Sequence, residues 1–394
     1  MGTIALPTDM RSRLACSAGL MAVWLAGALL AGACAAPAPV RLGFAGELTG
    51  NQSDLGIEGR DGALLAVADL NAAGGVAGRP LELIVRDDLG TPEGAAAADR
   101  ALIAEGVVAI LGHMTSSQTL AGLAVTEPAG VVMFSPTTST PALSGRDDLF
   151  FRVITPTPDL ASALSRYAAD VAGLRRVAIV LDLDNAGYTL PFAEAFSADL
   201  QTRGGQVVRR LEISSAENPD FAAVARELQA AEPDGVLLVL SAVDAALFAQ
   251  QARLAGWAVP LVAAPWAQTE TLLRTGGGAV EGMVLSAPYD LVREAPALRD
   301  FQSRYTERFG RAPGFAAALA YESVHVLAAA LQRTGGAAAG LAEALSQGDR
   351  VTVLGGELAL DTHGDVVRPV PLVVVQAGAF RSLEALTPTT PGSP

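Results

Sequence analysis

From residue 40 onward, short apolar runs alternate with longer stretches of helical periodicity, and this alternation limits the folds open to the chain more than any other feature. Val40–Ala45, Leu81–Val85, Val107–Leu111 and Val131–Phe134 read as strands, and 54–73, 92–105 and 116–127 as the helices between them. Successive strands joined through helices run parallel, with helices on both faces of the sheet. A second series follows, with strands at Arg176–Leu181, Val207–Ile213, Val236–Leu240, Leu261–Ala264 and Met283–Ser286. Its helices cover 159–172, 190–203, 221–231 and 244–255. A chain of 394 residues, 51% hydrophobic, exceeds what one core supports. The expectation is an α/β protein with two doubly wound parallel-sheet lobes.

Three more helices are expected after the second series, with breaks at Gly314 and at Gly335-Gly336. The segment 355–386 reads as strand-like, with DTHGD (361–365) as a hairpin turn, and the Pro/Thr-rich residues 387–394 as a disordered tail. Connections between lobes are placed near 155–158, 287–288 and 349–355. The N-terminal lobe then takes 40–156 plus 288–350, and the C-terminal lobe 157–287 plus 351–386.

Two hydroxyl-rich turns stand out, GHMTSSQT (112–119) and SPTTSTPAL (135–143), each directly after a buried strand. In open α/β sheets, small ligands bind at the carboxyl ends of the strands. A turn there offers Ser and Thr hydroxyls and the free N–H groups of the next helix's first turn, which suits a carboxylate or another small anion. Helix capping is the alternative reading of each turn alone, since Ser and Thr are favoured caps.

Catalytic motifs are missing. There is no G-x-S-x-G elbow and no P-loop, and the glycine run at 276–278 does not extend into a dinucleotide fingerprint. His113, His325 and His363 show no metal-ligand spacing, and His325 reads as ordinary packing. Asp87-Asp88 reads as a solvated strand end, because neighbours on an extended segment point opposite ways. Holding a molecule fits these residues better than transforming one, and no cofactor or metal is implied.

At the N-terminus, Arg11 and Arg13 precede an uncharged stretch, 14–33, that ends AGAC and runs into AAPAP. The Gly/Ala-rich end and abrupt Pro-rich exit favour a cleaved export signal over residues 1–33 rather than a membrane-spanning helix. AGAC resembles a bacterial lipoprotein box, with Ala31 where leucine is usual, so a lipid anchor at Cys34 and simple release both stay open. Cys16 and Cys34 are the two cysteines, so no disulfide staples the rest. The net charge of −14 without Lys/Arg clusters argues against nucleic-acid partners.

GELTG (46–50), EGRDGALLAVADLNAAGGVAGRPLEL (58–83) and Asp87-Asp88 resemble the opening of branched-chain amino-acid-binding proteins, the extracytoplasmic receptors of ABC importers. The two hydroxyl turns resemble that family's ligand turns, and RRVAIVLDLDNAGY, QARLAGW and EGMVLSAPYD fit its later pattern. The resemblance spans about 40–385 and implies the type I periplasmic binding protein fold, with two lobes joined by a three-strand hinge that close on a ligand.

By motif position the resemblance puts ligand contacts on Ser116, Thr138 and Ser139, with Ser117 in the same turn and Leu55 lining the specificity pocket. In the second lobe it departs. Ala186 stands where many members have a tyrosine, with Tyr188 two residues on, and Pro265-Trp266 has no glutamate to meet an ammonium group. An amino acid, an amide, or a carboxylate with an apolar body all stay open as ligand, and Trp266 reads as pocket wall or as core. The partners implied are a small solute and an inner-membrane importer permease, with the chain itself in the periplasm or lipid-anchored facing the periplasmic or extracellular side. The alternative is a ligand-sensing subunit of a signalling or regulatory system.

Overall fold

The structure is a computed structural model that describes residue 2, residues 37–50 and residues 52–383. Cys34, the export-signal residues other than Gly2, and the 387–394 tail lie outside the described residues. The chain divides into an N-terminal unit, 1–39, and a second unit, 40–394, which carries the sheets and their helices.

Two sheets organise it. The first holds β1 (Val40–Gly46), β2 (Leu81–Asp87), β3 (Ala109–Leu111), β4 (Val132–Ser135) and β5 (Phe150–Arg152), all parallel, in the order β2-β1-β3-β4-β5. Its helices include α1 (Ser53–Ala72), α2 (Pro92–Ala104) and α3 (Ser116–Thr126). The central strands β3 and β4 are buried at every residue, as expected of a parallel sheet covered on both faces. β5 was not anticipated from the sequence; three residues carry too little pattern to separate it from a loop.

After α4 (Thr157–Arg166), the second sheet takes β6 (Arg176–Asp182), β7 (Gln206–Ile213), β8 (Gly235–Val239), β9 (Leu261–Ala263) and β10 (Val284–Ser286). These five are parallel, in the order β7-β6-β8-β9-β10. Helices α5 (Ala186–Thr202), α6 (Phe221–Gln229), α7 (Ala242–Leu254) and α8 (Glu270–Gly276) connect or follow them. The edge strand β7 carries exposed Arg209, Arg210 and Glu212, charges that discourage pairing with another chain.

The chain then returns to the first lobe through α9 (Pro296–Phe309), α10 (Phe315–Arg333) and α11 (Leu341–Ser346). α10 packs along α1. It is long and apolar enough to cross a bilayer, but most of it is buried inside the protein, so it serves as a core helix. A hairpin of β11 (Val351–Val353) and β12 (Gly356–Leu358) follows, and β13 (Leu372–Gln376) and β14 (Ala379–Ser382) extend the second sheet as an antiparallel pair.

The end of the chain differs from the sequence expectation. DTHGD turns without joining strands, because Asp361 accepts the N–H groups of His363 and Asp365 and so closes the turn with its own side chain. Asp365 then pairs with the fully buried Arg152 (2.7 Å) and accepts from Gly145 N–H, both of the first lobe. The last crossing therefore falls at residues 366–371, later than the 349–355 expected. It is bonded to the other two crossings. Arg368 N–H donates to Thr155 Oγ1 (2.9 Å), and Ala287 N–H donates to Pro371 O (2.8 Å). A cavity of about 360 Å³ lies among these crossings, and neither hydroxyl turn reaches it.

Candidate functional site

In the first sheet the strand order reverses between β1 and β3, and there the carboxyl ends of the strands open on a crevice. The first hydroxyl turn leaves β3 through Gly112, whose φ is +138° and whose missing Cβ would lie 2.2 Å from Ala45 O. Only glycine lets the turn pass so close to β1.

His113 anchors that turn. It is fully buried, with Nδ1 2.7 Å from Asp88 Oδ2 and Nε2 3.1 Å from Asp99 Oδ2. Burial alone would push its pKa down; the hydrogen bonds to Asp88 and Asp99 outweigh that and hold it up, at about 9. Asp88 is accordingly buried rather than solvated, which corrects the expectation from the sequence. Asp87 alone behaves as a strand end, accepting from Leu48 N–H, Leu89 N–H and the Thr49 hydroxyl. Among the described residues no His, Cys, Asp and Glu group is arranged to hold a metal ion.

The His113 carbonyl gathers the second hydroxyl turn onto the first, accepting from Ser135 Oγ (2.7 Å) and Thr138 Oγ1 (3.3 Å). Thr138 also shares a hydrogen bond with Thr119 (2.6 Å), and Thr137 donates to Met114 O (2.6 Å). Many of the hydroxyls therefore fasten the two turns together. Ser139 pairs with the Thr157 hydroxyl at 2.9 Å and also faces a cavity.

That cavity lies between the lobes, with about 30 Å³ of space, room for about two waters. A larger solute enters only when the lobes part. On the first-lobe side its wall includes Ser116, Ser139, Thr115 and Leu55; on the second it includes Asn185, Tyr188 and Trp266. Ser116 opens α3, whose N-cap residue Thr115 makes no side-chain cap bond; the first-turn N–H of Ser117 is met instead by Asn185 Oδ1 of the other lobe, and the positive end of that helix faces the cavity beside Ser116.

Tyr188, 6% exposed, stands edge-on to Trp266, with ring centroids 6.2 Å apart and planes at 87°. Its hydroxyl has no hydrogen-bond partner of good geometry, although the Trp266 main chain comes near it. Burial pushes the phenol well above its ordinary pKa, so it keeps its proton.

Four contacts close the rim from lobe to lobe. Ser117 N–H donates to Asn185 Oδ1 (3.2 Å), and Gly187 N–H donates to Ser117 Oγ (3.1 Å). Gln52 Nε2 donates to Asp182 Oδ2 (3.1 Å), and the Thr269 hydroxyl to Asp54 Oδ2 (2.6 Å).

Of the residues singled out from sequence, Ser116, Ser139, Leu55, Tyr188 and Trp266 come together on the cavity wall. Ser117 stands at the rim, bonded to the opposite lobe. Thr138 is fully buried behind the wall, its hydroxyl shared with Thr119 and His113. Sequence reasoning missed Asn185, Met114, Pro288 and Phe315, which also line the cavity. A signal for Asn185 existed, since it immediately precedes α5 at the end of β6 and so occupies the second lobe's strand-end position.

The periplasmic binding protein family model matches residues 39–379. An amino acid binding protein of Pseudomonas aeruginosa is 28% identical over 337 residues, covering 84% of this chain and 88% of the relative. A leucine binding protein, LivK, of Thermotoga maritima superposes with a TM-score of 0.80 at 27% identity, over 87% of this chain and 97% of that one. The solute binding protein of an R. palustris ABC transporter shares the fold, with a TM-score of 0.79 at 19% identity over 88% and 95%. The family and these neighbours are binding proteins rather than enzymes. Two lobes with parallel sheets, three crossings and a crevice lined from both sides agree with a match over most of the chain: it belongs to the periplasmic binding protein family.

Proposed function

We propose that this chain is an extracytoplasmic receptor that encloses a small carboxylate-bearing solute between its lobes and delivers it to the permease of an ABC importer. One observation carries the reading. Hydroxyls from both lobes (Ser116 and Ser139 on one side, Tyr188 on the other) converge on a cavity whose rim is hydrogen-bonded across the lobes. A solute touching both walls stabilises the closed arrangement over the open one, and this differential contact is what a hinge needs to shift its populations. The closed shape is then the signal a permease reads.

Ligands named for the relatives support the same chemistry. LivK is called a leucine binding protein, and the R. palustris protein was solved in complex with benzoate. Leucine and benzoate share a carboxylate and little else, which fits neutral donors at the strand ends as the common element. The basic leader places the receptor outside the cytoplasm, released or held by a lipid on Cys34, and the intact mass of the mature protein distinguishes the two.

A thermal-shift screen of amino acids, amides, and aliphatic and aromatic carboxylates tests the reading. A solute present at one hundred times its Kd raises stability by about 2.7 kcal/mol. At least one carboxylate is expected to raise the melting point; a flat response across the whole panel would overturn the assignment.

A further inference from the structure

The cleft is furnished for one half of an amino acid and not for the other. None of the fourteen residues lining it carries a formal charge. Its polar lining is hydroxyl and amide, and the rest is apolar or aromatic, with Leu55, Met114, Trp266 and Phe315 prominent. Hydroxyls and a helix N-terminus satisfy an anion. A buried ammonium instead requires an anionic partner, without which its lost hydration is not replaced.

The nearest acids do not supply one. Asp54 is one residue before Leu55, but its Oδ1 takes Leu55 N–H and its Oδ2 takes the Thr269 hydroxyl across the lobes. Glu58, one turn further along α1, lies against Gly314 and outside the cavity wall. Burial, with the nearby Asp54 charge adding to it, holds its pKa up at about 8, so it is largely neutral at pH 7. On the second lobe, Asp182 accepts from Ser215 and Gln52, and Asp244 from the Ser215 hydroxyl. Glu47 accepts Gln52 N–H and does not line the cleft.

Donors, by contrast, are available. The Thr157 hydroxyl donates to Ser139 O at 2.9 Å and lies equally near Ser139 Oγ. Because Ser139 O also accepts Thr157 N–H (2.8 Å), the Thr157 proton can turn to Ser139 Oγ and free the Ser139 proton for an incoming oxygen. The buried Tyr188 hydroxyl, without a partner, is a further donor on the opposite wall. The perpendicular Tyr188 and Trp266 rings form an aromatic corner that suits a flat ring.

Resting on the receptor reading, we propose that the solute is an aromatic monocarboxylate without an ammonium group, its carboxylate at Ser116 and Ser139 and its ring against Tyr188 and Trp266.

Matched pairs that differ only by the ammonium test this by titration calorimetry on the purified protein. The pairs are 3-phenylpropanoate with L-phenylalanine, and 4-methylpentanoate with L-leucine; benzoate is added as a compact aromatic acid. In each pair the acid is expected to bind at least about tenfold more tightly, with the tightest binder among the aromatic acids. Amino acids binding as tightly as their acids, or more so, would overturn the proposal while leaving the receptor reading in place. Silence from acids, amino acids and amides together would remove both. Trp266→Leu is expected to abolish the advantage of 3-phenylpropanoate over 4-methylpentanoate. Should that variant misfold, Tyr188→Phe, which keeps the ring, is expected to weaken every acid by about the same factor. An unchanged affinity there would take Tyr188 out of the site.

Discussion

In the first sheet the strands run β2-β1-β3-β4-β5, and in the second β7-β6-β8-β9-β10, the same winding repeated with an antiparallel pair added beyond β10. The helix after the third strand of each series begins just beyond that strand's carboxyl end, yet the two beginnings differ. Ser241, the N-cap of α7, accepts Asp244 N–H and so satisfies its own helix. Thr115, the N-cap of α3, makes no such bond. The strand-end acids differ as well. On the second lobe Asp182, Asp184 and Asp244 bind Ser214, Ser215 and Ala216, folding that loop over the sheet with hydroxyl and amide donors. On the first, Asp88 and Asp99 clamp a cationic His113 beneath the turn, and that turn's Ser116 faces the cleft. Topology thus decides where a ligand can be met, and residues a few positions either side decide whether the polar groups face inward or towards it.

The largest expected effect lies in the buried ion cluster. His113→Leu leaves two buried carboxylates facing each other, and stability measured by urea unfolding should fall by about 3–5 kcal/mol. Asp244→Asn, which alters a cluster held by neutral donors, should cost clearly less. Equal losses would break the contrast between the lobes.

Titration sharpens it further. His113 binds its proton more tightly folded, at about 9, than an unfolded histidine does at about 6.5, so its contribution is complete at lower pH and is lost as pH rises through 9. Glu58, held up at about 8 mainly by burial, works in the same direction, its contribution fading as pH rises from about 4.5 through 8. Melting temperature should fall between pH 7 and 9.5, and the fall should be shallower in Glu58→Gln. An unchanged slope in that variant would return Glu58 to an ordinary carboxylate.

Next in size, Ser116→Ala should weaken solute binding by about 1.5–3 kcal/mol, the range for a hydrogen bond to a charged acceptor, with little change in melting temperature. Ser241→Ala, at the N-cap of the corresponding helix in the other lobe, should do the reverse. Its affinity should hold while about 1 kcal/mol of helix capping is lost. Calorimetry and unfolding on both variants would show whether the two positions are as different as their hydrogen bonds imply.

The smallest effect is expected at Asn185→Ala, which removes the acceptor for Ser117 N–H at the rim, about 0.5–1.5 kcal/mol. Stopped-flow dissociation should quicken by a few-fold, with association nearly unchanged.

Local features were legible in the sequence. The alternation of strands and helices and the hydroxyl turns lie within short windows where periodicity and turn chemistry speak for themselves, whereas Leu55 stood out only through the family resemblance. Clusters assembled from distant residues were not. Asp88, His113 and Asp99 come from the end of a strand, a turn and a helix, separated by 25 and 14 positions, and no spacing rule joins them. The 361–365 turn misled because its aspartates suit a hairpin; a buried arginine in the first lobe's sheet, more than two hundred residues earlier, claims Asp365 instead. Tyr188 and Trp266 stood out only through resemblance, since an aromatic residue after a strand looks the same whether it meets solute or core.

The lobe-to-lobe hydrogen bonds at the rim have a kinetic meaning. With Ser117, Gln52 and Asp54 each joined to the opposite wall, a solute held as proposed would leave only as those bonds part. Dwell time is then written into the seam as much as into the grip on the passenger. A transporter that prised those few bonds apart would trigger unloading without ever touching the cargo.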